Sequence, residues 1–125
     1  MRKTLSLFVV IVSLVTLSMI SAFGQSEQGG HRLYREAQEM EKKAQSRGDF
    51  EKAIKKHEEA ITVFEKAKSE KGKGMALNDI GLIYDNLGQY SKALEYYEKS
   101  LTISQKIGDV KVEGTTLNNI GAVFY

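Results

Sequence analysis

Displaced by 40 residues, this chain matches itself. Gly48-Asp49-Phe50-Glu51-Lys52-Ala53-Ile54 falls on Gly88-Gln89-Tyr90-Ser91-Lys92-Ala93-Leu94. Gly74, Leu77, Asn78, Ile80, Gly81 and Tyr84 fall on Gly114, Leu117, Asn118, Ile120, Gly121 and Phe124. A fixed period in this range marks a stack of like supersecondary units, none able to bury its apolar face without a neighbour. It constrains the fold more than any local propensity does, and it directs function toward binding rather than catalysis.

The first 24 residues stand apart from the repeat. Arg2 and Lys3 precede an uncharged run of 16 residues, Leu5 to Ile20, and Ser21-Ala22-Phe23-Gly24-Gln25 supplies small residues ahead of a cut after Gly24. This is the three-part arrangement of a secretory signal peptide. The competing reading is an uncleaved membrane anchor, for which the run is short against the ~20 residues of a spanning helix. The expectation is an exported protein, periplasmic or secreted, with a leader over 1–24, a flexible polar spacer over 25–30 and a repeat domain over 31–125.

Loss of the leader removes two of 18 Lys and Arg and none of 16 Asp and Glu, leaving 16 of each. A balanced surface has no electrostatic footprint for nucleic acid, so none is expected as a partner. With no Cys there is neither a disulfide framework nor a lipid-modified N-terminal cysteine. Packing alone must hold the domain. The absence of Pro suits long uninterrupted helices.

Tyr90, Ala93, Leu94, Tyr97, Leu101 and Ser104 follow the i, i+3, i+4, i+7 spacing of one helical stripe. Leu77, Ile80, Gly81 and Tyr84 do the same in the segment before. Gly88 between them suits the left-handed backbone just past a helix end. Gly48-Asp49 is expected to do likewise in the preceding unit, with Asp49 capping the next helix. Lys71-Gly72-Lys73-Gly74 and Gly108-Asp109 read as turns. Five helices result, at about 31–46, 50–68, 74–87, 90–107 and 114–125, in units of about 31–73, 74–113 and an incomplete 114–125.

Leu77, Gly81, Tyr84, Gly88, Tyr90, Ala93 and Tyr97 resemble the tetratricopeptide repeat, which has a Leu-Gly-x2-Tyr core followed by Gly, Ala and an aromatic at set offsets. The longer period, against about 34 residues in the common form, is similar to that of kinesin light chains and of bacterial signalling proteins with N-terminal repeat sensors. The resemblance implies an all-α, right-handed solenoid of helical hairpins, about two and a half repeats long. Gly81 and Ala93 are small where the two helices of a unit cross closely. Ala60 and Ser100 are small where the second helix meets the next unit. Glu41 stands where the pattern has Gly or Ala, and Ala44 where it has Tyr, so the first helix reads as a capping helix.

In that family the first helices of successive units line a groove for a peptide or partner helix. Carried onto this chain, the groove has three rows: Arg35, Met75 and Thr115; Gln38, Asn78 and Asn118; Lys42, Leu82 and Ala122. Asp85 and Asn86 follow near the helix end. The amide row offers donors and acceptors to a ligand backbone, or alternatively bridges neighbouring helices. Few side chains suggest chemistry. His57 falls at the position of Tyr97 and reads as a polar-tipped core aromatic, while His31 lies at a ragged helix start. Two histidines on different elements without Cys are poor ligand material, so no metal, cofactor or catalytic residue is expected. Gly72-Lys73-Gly74 lacks the spacing of a phosphate loop.

The expected function is a non-catalytic protein–protein interaction scaffold. The alternative is the sensor end of a longer membrane-bound signalling protein, a histidine kinase or DNA-binding regulator, because the third unit lacks the second helix that would cover its apolar face.

Overall fold

A computed structural model describes residues 2–125, with side chains described for residues 6–19 and 27–125. Five helices follow in order: α1 (Arg2–Lys43), α2 (Arg47–Lys66), α3 (Glu70–Asn86), α4 (Tyr90–Ile107) and α5 (Val110–Val123). No strand occurs among the described residues. α1 pairs with α2 and α3 with α4 as hairpins; α2 meets α3 and α4 meets α5 between units, and α1, α3 and α5 adjoin as a row of first helices. This is the helical-hairpin stack that the period implied.

Helix ends are set by caps that the turn residues alone did not reveal. Ser46 begins α2: its hydroxyl accepts the Asp49 N–H at 3.2 Å while Asp49 Oδ2 accepts the Ser46 N–H at 3.1 Å. This is a reciprocal capping box. Asp49 is thus the third residue of the helix rather than its cap, and Gly48 lies inside α2 rather than in a left-handed turn. The Lys71–Gly74 stretch is likewise not a turn. Lys68 takes the positive φ of 56° and Ser69 caps α3, so that helix starts at Glu70. Asp109 caps α5 through the Val112 N–H at 3.2 Å, which moves its start ahead of Gly114 to Val110. Gly88 and Gly108 adopt φ of 72° and 70°, the left-handed geometry that glycine tolerates.

The glycines inside α3 serve packing. A Cβ on Gly81 would stand 2.6 Å from the Tyr97 ring and 3.2 Å from the Ala93 carbonyl oxygen. The α3–α4 crossing therefore closes on bare backbone, with Ala93 and Tyr97 fully buried. Phe64 of α2 is held in the same way by two helices at once. A Cβ on Gly30 of α1 would fall 2.7 Å from its ring, and one on Gly72 of α3 2.4 Å.

The 25–30 segment, read from sequence as a flexible spacer, is helical and within α1. Gly30 is buried against Phe64, and Glu27 Oε1 accepts a 2.9 Å bond from the Ser69 hydroxyl at the start of α3. Polar composition concealed a docking surface. Ahead of it, apolar side chains from Leu7 to Met19 stay exposed, including Phe8 at 69%. Among the described residues, no helix is long and apolar enough to cross a membrane.

Tyr90, placed on the apolar stripe, is 54% exposed. It is the first residue of α4. Tyr84 is half-buried and stacks on Tyr96 at 5.4 Å between ring centroids.

Gly81→Leu is expected to force the α3–α4 crossing apart, at about 1–3 kcal/mol or more, as overpacked core sites do. Chemical denaturation checks it: the midpoint falls with the m-value unchanged, whereas an unaltered midpoint contradicts the close crossing.

Candidate interaction groove

The face made by the first helices carries two hollows. One, of about 350 Å³, lies among α1, α3 and the start of α5. Tyr34, Met75 and Val112 give it apolar surface, Asn78, Asp79 and Asp109 give it oxygens, and Lys71 and Lys111 add positive charge. The other, of about 390 Å³, is lined by Gln38, Glu41, Lys42, Phe50, Asp79, Leu82 and Asn86. Asp79 lines both, so the hollows are neighbours on one surface.

Most of the positions read from sequence fall on these walls. Met75 and Thr115 line the first hollow with Asn78; Gln38, Lys42, Leu82 and Asn86 line the second. Arg35 instead borders a separate shallow depression with Arg32, Glu36, Glu39 and Met40. Asp85 is half-buried and lines neither hollow. Lys71 stands in a segment whose glycines suggest a turn and Lys111 between the expected helices 90–107 and 114–125, whereas the caps at Ser69 and Asp109 place both in the first turns of α3 and α5.

The amide row takes the bridging alternative. Gln38 Nε2 donates to Tyr34 Oη at 2.9 Å and to Asp79 Oδ2 at 3.1 Å. Asn78 Oδ1 accepts from Thr116 Oγ1 and from Asn119 Nδ2, each at 3.1 Å. Both lone pairs of the Asn78 carbonyl are thereby used, and the residue is only 7% exposed. Gln38–Asp79 and Asn78–Asn119 are the same rung, 41 residues apart in sequence, repeated at successive junctions. The period pairs position 38 with 78 and 118; the bond pairs each with the residue one step further on in the next unit. Asn118, by contrast, is exposed.

Beneath the rungs lies buried polar chemistry. Ser100 Oγ donates to the Gly74 carbonyl at 2.8 Å, and its hydroxyl lies 3.3 Å from that of Thr116. Burial, with Asp79 adding, pushes the Tyr34 hydroxyl far above its ordinary pKa. Burial does the same to Tyr97, reinforced by Asp85, Asp79 and Glu41. Both phenols therefore stay protonated and neutral across the working pH range. His57 is fully buried at the position equivalent to Tyr97, as the period implied.

The tetratricopeptide repeat family profile matches residues 44–106, half of the chain. With hairpins, close Gly81–Tyr97 crossing and inter-unit rungs in place, the chain belongs to the tetratricopeptide repeat family. Such repeats suggest a protein–protein interaction scaffold. No curated protein matches the chain.

Asn78→Ala removes the acceptor that the Thr116 hydroxyl and the Asn119 amide share, and is expected to cost about 1–3 kcal/mol. Asn118→Ala, at an exposed site, is expected to stay within about 0.5 kcal/mol of wild type. Urea denaturation of the two variants checks the contrast; equal stabilities contradict the rung.

Proposed function

We propose that the protein is an exported, non-catalytic scaffold that binds an extended peptide or partner segment along the face of α1, α3 and α5. The observation that carries this is the pair of adjoining hollows, both open on that face and both bordered by Asp79. The first takes an apolar side chain against Met75, Val112 and Tyr34, while Lys71 and Lys111 meet carboxylate or carbonyl oxygens of the ligand. Asp79 accepts ligand N–H groups. Because Asn78 is committed to α5, recognition rests on these side chains rather than on an amide ladder.

Export rests on the leader pattern of residues 1–24. The exposure of the apolar side chains from Leu7 to Met19 supports it, since the repeat domain makes no use of them. A second reading, the sensor end of a longer membrane-bound signalling protein, draws on α5, where Val110 and Leu117 are 78% and 48% exposed.

Peptides selected from a random library against the exported protein test the groove. Met75→Lys and Leu82→Glu are each expected to weaken the selected peptides at least about tenfold, a loss near 1.4 kcal/mol, with circular dichroism unchanged. Undiminished binding by both folded variants rejects this face as the ligand site.

A further inference from the structure

At the second hollow, which Glu41 and Asp79 line, three side chains from three helices converge: Glu41 of α1, His57 of α2 and Asp79 of α3. One ligand atom from each lies within 4.8 Å of the other two. His57 is fully buried, and neither of its ring nitrogens has a hydrogen-bond partner. Its Nε2 faces Glu41 Oε2 across 3.9 Å, beyond hydrogen-bond reach. A buried imidazole aimed at a carboxylate yet bonded to nothing is a costly arrangement for a mere core residue.

The repeat itself sets this cluster apart. Forty residues on, Glu41, His57 and Asp79 correspond to Gly81, Tyr97 and Asn119. Across the second and third units that set is a glycine under an aromatic ring and an amide, with no carboxylate or imidazole. Across the first and second units all three positions carry a metal-ligating group. Glu41 departs from the repeat pattern at the very contact where His57 does, and Asp79 joins them from the next unit.

We propose that Glu41, His57 and Asp79 form a binding site for one divalent first-row transition-metal ion, taking one ligand from each of three helices. Imidazole with two carboxylates suits zinc and its neighbours; an all-oxygen cation such as magnesium gains little from the nitrogen. Three atoms no more than 4.8 Å apart leave a central point about 2.8 Å or less from each, so closure to the usual ~2.0–2.2 Å takes small side-chain rotations. The second hollow, which Glu41 and Asp79 line, gives an ion access and leaves space for water in an open coordination position. Lys42, the ammonium on that wall, is held by Glu39 at 3.0 Å. The second nitrogen of His57 has no acceptor to fix it, so affinity falls about 10–100-fold short of a fully supported site. Because the ligands bridge the first hairpin and α3, a bound ion pins the junction and the wall of the groove.

The test uses the tag-free protein, stripped with chelator and titrated with zinc chloride by calorimetry, with magnesium chloride as control. One zinc per chain in the micromolar range is expected, with a melting temperature that rises with zinc and falls back on adding chelator. Nitrogen-15 spectra should show the His57 imidazole shifting while His31 does not. Glu41→Gln, which keeps the side chain's shape, should weaken zinc at least about tenfold, while Asn118→Ala leaves it unchanged. No zinc binding below about 1 mM, equal affinity in Glu41→Gln, or a doubly protonated His57 ring that ignores zinc overturns the proposal; the wild-type titration decides even if the variant fails to fold.

Discussion

One phenyl ring ties the chain together. Phe64 is fully buried between backbone on either side, with Gly30 of α1 and Gly72 of α3 each too close to admit a Cβ. Full burial of such a ring contributes about 1.5–3 kcal/mol, and here the gain belongs to three helices jointly. Tyr34, Ala60 and Ala76 close around it. Neither hairpin owns this interior, which is why neither is a domain by itself. The same contact draws residues 27–30 of α1 against α2 and α3.

Further along, the stack keeps its geometry while exchanging its chemistry. Phe64 and Gly72 in one unit correspond to Ser104 and Val112 in the next, a large–small pair turned into a small–large one. Ala60 and Ala76 at the first junction correspond to Ser100 and Thr116 at the second, where hydroxyls bond to Gly74 and Asn78 instead of packing dry. Close packing demands constant volume more than constant side chains. The rung joining first helices survives both exchanges, as Gln38–Asp79 and as Asn78–Asn119.

The architecture was legible because period and small-residue positions both report on packing. Gly81, Ala93 and Tyr97 gave the hairpin crossing, and the α4 bounds of Tyr90–Ile107 match those the apolar stripe implied. The starts of α2 and α3 were not legible: glycine suggests a turn at Gly48, Gly72 and Gly74, whereas serine caps set both helix starts and Gly72 serves the close approach to Phe64. Most of the positions carried over for a groove line the two hollows, yet the bonds that Gln38 and Asn78 make were not legible. Whether an amide faces a ligand or a neighbour depends on a one-residue offset between units that the 40-residue alignment cannot display. Glu41 and His57 stand out in sequence as departures from the repeat, but their convergence with Asp79 was not legible, because the three stand on three different helices.

The claim on which the whole account rests is that α1, α2 and α3 share a single interior through Phe64. Native-state hydrogen exchange of the full chain carrying Phe64→Ala tests it most directly. The account predicts that amides of residues 27–43, α2 and α3 lose protection together, by a common amount set by the roughly 3–5 kcal/mol cost of such a truncation. Loss confined to α2, with α3 as protected as in the wild type, would contradict it.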